Sequence, residues 1–86
     1  MFLVNQGLLT WGSVTGVTSY KIRQGTSTGV YGNSQDVGNV TQYLLKNISP
    51  VLSFNTTYFL VVAGVDGGGD GPNSNEIQVR NGVQIA

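Results

Sequence analysis

Apolar and polar residues alternate over short stretches of this chain. Leu9 and Trp11 fall on one face of residues 8–11. Residues 19–24 alternate strictly, with Tyr20 and Ile22 on one side and Lys21 and Arg23 on the other. Tyr43 and Leu45 share a face of residues 42–47. Residues 58–66 give the strongest segment, residues 76–80 follow it, and residues 35–37 read as a short edge strand. A period of two is the signature of half-buried β-strands. No ten-residue window has the i, i+3, i+4 apolar face and caps of a helix. Six or seven short strands joined by polar loops predict an all-β sandwich. Residues 67–73, rich in glycine, read as one flexible loop between strong strands.

The last eleven residues add a separate signal. Two alternating segments, 77–80 and 83–85, flank Asn81-Gly82. Asn-Gly suits a type I′ turn, which needs positive φ at both central residues. The pattern predicts a terminal hairpin, its last strand either joining the sandwich or offering an edge to a partner.

Composition narrows the chemistry. With 86 residues the chain makes one domain, 1–86. It has neither Cys nor His, which removes disulfides, thiolate or imidazole zinc sites, a Ser-His-Asp triad and a cysteine nucleophile. Four basic residues balance four acidic ones, so no electrostatic footprint for nucleic acid exists. The longest apolar run is too short to span a bilayer, so no membrane insertion is expected. Residues 1–6 lack the basic and long apolar regions of a secretory signal; Met1 opens either a complete small protein or a module of a longer chain.

The remaining candidate chemistry is sparse. Asp36, Asp66, Asp70 and Glu76 are the acids. Asp66 and Asp70 read as part of a solvated loop; they supply too few oxygens for calcium, at spacings that match no calcium loop. The glycines lack the Lys-Ser/Thr of a phosphate loop. No metal, cofactor or catalytic constellation is expected. Asn39, Asn47 and Asn55 open glycosylation sequons. Lys21 and Arg23 read as a solubilising pair. Phe59, Val61 and Val65 lie opposite the inward residues of their strand, so that strand is apolar on both faces. Either neighbouring side chains cover its outer face, or it is a protein contact surface joined by Leu52 and Phe54.

In order, these segments resemble a fibronectin type III domain of the bacterial and phage type. Leu9-Thr10-Trp11 is similar to strand B with its tryptophan, and residues 14–22 to the B–C loop entering strand C. Residues 41–50 resemble strand E and its exit. Thr56-Thr57-Tyr58 with residues 62–66 resembles the tyrosine-corner strand F, and residues 74–77 the entry to strand G. The resemblance implies an immunoglobulin-type sandwich of about seven antiparallel strands, A-B-E on C-C′-F-G, plus an extra C-terminal strand. It implies a core of Trp11, Tyr20, Ile22, Leu45, Leu60 and Val62, with the Tyr58 hydroxyl bonded to the preceding corner. Seven residues separate Pro50 from Tyr58, a longer corner than the family usually has.

A chain without a constellation of acid, base and nucleophile reads as a non-catalytic structural module. The expectation is a virion or other extracellular setting: a bacteriophage head decoration or tail protein that contacts capsid or tail proteins through the outer residues of strand F and through Val83 and Ile85. The alternative is a spacer module of a secreted bacterial hydrolase or adhesin that touches a cell-surface glycan.

Overall fold

A computed structural model describes residues 2–5, 7–49 and 51–86. Among them lie nine strands: β1 (Leu3–Asn5), β2 (Leu8–Thr10), β3 (Ser19–Gly25), β4 (Asn33–Gly38), β5 (Gln42–Leu44), β6 (Thr57–Asp66), β7 (Gly69–Asn73), β8 (Ile77–Arg80) and β9 (Val83–Gln84). They form two antiparallel sheets, one ordered β1-β2-β5 and the other β4-β3-β6-β8-β9, with β7 also paired to β6. The inward faces meet in one core. Leu9, Trp11, Tyr20, Ile22, Leu60, Val62, Ile77 and Val79 are all buried there. Trp11 sits edge-on between Phe2 and Tyr20, with ring centroids 6.0 and 5.7 Å away, an arrangement aromatic quadrupoles favour. Its indole Nε1 is buried without a hydrogen-bond partner.

Two elements differ from the sequence reading. The strand expected over residues 42–47 stops at Leu44, and Leu45–Asn47 form a 3₁₀ turn. The Leu45 amide donates to the Gly7 carbonyl at 2.8 Å and the Ile48 amide to the Leu45 carbonyl at 3.2 Å. Residues three apart eclipse in such a turn, so Leu45 and Ile48 are both buried. Leu45 therefore joins the core by a different backbone route. The second difference is the glycine-rich segment: Gly69–Asn73 is a strand, not a loop. It turns back from Asp66 and registers Asp70 against Val65 and Asn73 against Ala63. Glycine alternation hides this strand because its side chains bury nothing; its partners are backbone groups of β6.

The terminal hairpin forms as the Asn-Gly signal predicts. Asn81 has φ 52° and Gly82 φ 79°. β9 is not a bare edge, however. Pairing runs past it, with the Gln78 amide donating to the Ala86 carbonyl and the Ile85 amide to the Gln78 carbonyl, both at 2.8 Å. Gln84 then reaches the other sheet, where its Oε1 accepts from the Val4 amide at 2.9 Å. Asn75 continues this seam by exchanging bonds of 3.1 and 2.9 Å with the Phe2 backbone. The opposite seam has a glutamine too: Gln35 donates to the Tyr43 hydroxyl at 2.9 Å and accepts from the Ser49 amide at 2.8 Å. Side-chain amides thus tie the sheets together along both sides. This removes edge groups that would otherwise template strand addition.

Candidate functional site

One end of the sandwich, here the lower end, is built from Gly7, the 3₁₀ turn, the long corner over residues 51–56 and the Asn81-Gly82 turn. Local chemistry fixes the corner. The Ser53 amide donates to the Tyr58 hydroxyl at 2.9 Å, so the tyrosine corner is present despite its extra length. Hydrogen bonding with the Ser53 side chain, then with its amide, holds the Tyr58 phenol below its ordinary pKa. Asn55 adopts φ 58°, a conformation asparagine tolerates better than most residues. Its amide donates to Asn81 Oδ1 at 2.6 Å, and Asn81 Nδ2 donates to Asn55 Oδ1 at 3.1 Å. Two left-handed asparagines thus lock corner to hairpin.

Between these parts lies a cleft of about 520 Å³. Leu45, Leu52, Tyr58 and Val79 line it, and Lys46 is its charged lining residue. Val51 and Phe54, also in the lining, are 76% and 78% exposed. Leu44 and Val83 are exposed at the same end. Four of the exposed large apolar side chains, Leu44, Val51, Phe54 and Val83, thus stand at this end.

The residues expected to form a contact surface separate into two groups. Leu52 and Phe54 come together in the cleft, and Val83 stands beside the hairpin turn that closes it. Ile85 is exposed farther along the hairpin. Phe59, Val61 and Val65 are elsewhere, on the outer face of β6, and they are not a free surface. Phe59 and Val65 are half-buried, and Val61 is only 1% exposed. The cover comes from both flanks. Arg23, opposite Val61 on β3, donates to Asn73 and Asp70 on β7. Because β3 and β7 pair with opposite edges of β6, that side chain must cross β6, its stem over apolar surface and its charge outward. The loop after β3 crosses lower down, where Thr28 and the Gly29 amide reach Glu76 at 2.6 and 3.3 Å. Gly25 permits this fold-back, since a Cβ there would lie 1.8 Å from the Val30 carbonyl oxygen. The outer face of strand F is therefore internal packing.

The same contacts reassign the charges. Lys21 and Arg23 are not a free solubilising pair but both grip Asp70. The hydrogen bond from Lys21 is the main reason that the Asp70 carboxyl sits below its ordinary pKa. Glu76 is lowered as well, chiefly by the Thr28 hydroxyl. Burial, then the Glu76 carboxylate, raises the Tyr31 phenol. Asp66 accepts from the Gly68 amide at 2.8 Å. No group of three or more acids able to hold a metal occurs among the described residues.

Of the expected core residues, Trp11, Tyr20, Ile22, Leu45, Leu60 and Val62 are buried, and Tyr58 is half-buried in the cleft wall. Sequence reasoning missed Leu44, Lys46 and Val51. A signal existed: Leu44-Leu45 and Val51-Leu52 are adjacent apolar pairs, and two neighbours in extended chain cannot both point inward.

Comparison with known proteins agrees with this architecture. The crystal structure of the chicken CNTN1 FN1-FN3 domains superposes on 92% of the chain with a TM-score of 0.63 at 25% identity. The chain spans 28% of that structure's length. No protein-family profile and no curated protein matches the sequence. The chain has a fibronectin type III fold, a two-sheet immunoglobulin-like β-sandwich. That fold points to a non-catalytic interaction module.

Proposed function

We propose that this chain is a structural docking module of a larger extracellular assembly, in the first instance a bacteriophage particle, and that it contacts a protein through the lower cleft. The exposure of Val51 and Phe54 beside an apolar cleft carries the reading. Buried aromatic anchors supply much of the energy of protein interfaces, and an isolated domain gains nothing by leaving one in water. The charged content supports a packed setting. Only 9% of residues are charged, against about 25% in typical soluble globular domains. The exposed Val51 and Phe54 side chains gather at the end of the sandwich, so the contact is made there by side chains.

The test is co-sedimentation of the purified chain with phage capsids and tails. The parent chain binds, and Phe54→Ser combined with Val51→Ser weakens binding by about tenfold or more without lowering Tm. Equal binding by parent and variant would remove this reading. The likeness to one part of a three-domain chain supports a second role, a spacer module in a secreted hydrolase or adhesin. Retention on insoluble glycan, unaffected by the two substitutions, would favour that role.

A further inference from the structure

The eight charged side chains are unevenly placed. Lys21 and Arg23 both pair with Asp70, on the upper half of the second sheet. Lys46 lines the lower cleft and has no ion pair among the described residues. Arg80, next to the turn that closes the cleft, reaches only the Thr57 hydroxyl, at 3.5 Å. The lower end therefore holds two cations without counter-ions. The other six charged side chains, two cations against four acids, carry −2. A chain of zero net charge is thus positive at one end and negative over the rest, along a long axis of 37 Å.

The upper end offers a complementary shape. A second cleft, about 250 Å³, lies between the loop after β2 and the β7–β8 connection. Phe2, Trp11, Tyr20 and Val62 line it, and Val14 is 57% exposed on its rim. Asp66 stands exposed at the same end, in the β6–β7 turn. One end presents an aromatic knob with two free cations; the other presents an apolar hollow near a free carboxylate.

Resting on the reading of the lower cleft as a protein-docking site, we infer that its partner is a second copy of this domain, stacked head-to-tail with Phe54 of one copy directed into the upper cleft of the next. Such a contact joins two different patches, so it is heterologous and does not close at a dimer. Opposite charge at the two ends sets the orientation, since like ends repel. In an assembly this arrangement builds a row of domains.

Sedimentation velocity on the full chain tests the inference. The parent grows beyond a dimer as concentration rises, and added salt weakens the growth because the steering charges are exposed. Phe54→Ser spoils the lower end and Val14→Lys the upper, where it sets a cation against the cations of the next copy; both positions are exposed, and circular dichroism melting confirms that the variants fold. Each variant alone stays monomeric. Their equimolar mixture forms a one-to-one complex, because each supplies the end the other lacks. A parent that remains monomeric at every concentration, a variant that associates like the parent, or a mixture that stays monomeric would overturn the inference. The docking reading is judged separately: if the parent is monomeric yet particle binding still depends on Phe54 and Val51, the cleft serves a different protein. If binding is also indifferent to those residues, both fall.

Discussion

Trp11 does two opposing things. Its rings fill the space between Phe2 and Tyr20, while its indole N–H is buried without an acceptor. A buried donor without a partner costs about 1–3 kcal/mol, whereas removing a large aromatic from a core costs about 3–5 kcal/mol. Packing wins, so tryptophan is kept. Trp11→Ala is expected to lose a large share of the stability of so small a domain, about 5–15 kcal/mol in all. Trp11→Phe loses far less, because it deletes the unpaired donor along with part of the ring. Thermal denaturation of the two variants checks the difference. Asp70 acts at the same scale through charge. Its folded pKa is depressed by Lys21 and Arg23, so the ionised form is favoured by folding. That contribution is complete above the unfolded carboxyl pKa of about 3.9 and disappears as pH falls through the lower folded value. Asp70→Asn therefore melts below the parent at neutral pH, and the two Tm values converge below about pH 4. A gap that persists in acid would assign the effect to something other than the ion pair.

The C-terminal hairpin shows how an element can be specified locally and used globally. Asn81-Gly82 sets the turn through backbone conformation alone, which is why it was legible in the sequence. What the hairpin is for was not, because Gln84 meets Val4 across 80 positions of chain. Gln84→Ala removes the acceptor for the Val4 amide and is expected to cost about 0.5–1.5 kcal/mol. Hydrogen exchange at Val4 should quicken while that at Leu60 is little changed. Strand β7 and the 3₁₀ turn illustrate the opposite case. Gly69–Asn73 carries no apolar alternation, since a strand that pairs by backbone and projects polar groups leaves no pattern to read. Leu45 looked like a strand residue because it stands two positions after Tyr43; its buried companion Ile48 is three positions on, a spacing that shares a face in a 3₁₀ turn but not in a strand.

Taken whole, the molecule places its larger cleft, with Val51 and Phe54 exposed beside it, and the two cations unpaired among the described residues at one end, and it ties its flanks with side-chain amides. With so few charges, its solubility depends heavily on net charge. Solubility is expected to pass through a minimum near the sequence pI of about 5.9. Phe54→Lys raises solubility at that pH without changing Tm, because the side chain is 78% exposed in the isolated domain. Turbidity across a pH series reads both effects. Of the two readings the sequence left open for the outer face of strand F, cover by neighbouring side chains is the one seen at Val61. Alternation correctly put Val61 on the outer face, but whether that face meets water depended on Arg23 and on the loop over residues 26–32, which are remote from it in sequence.

By itself the sequence determined what depends on neighbours along the chain: the strand-forming alternation, the Asn-Gly turn and the pairing of Leu9 with Trp11 and of Tyr20 with Ile22 on one strand face each. These follow from backbone conformation and side-chain period, which act over a few residues. Tertiary structure alone decided which outward apolar residues stay wet, which charges cancel and which end is left positive. Burial and ion pairing are properties of surfaces in space, so groups as far apart as Lys21 and Asp70 or Asn55 and Asn81 acquire their roles only once the strands of the second sheet have assembled.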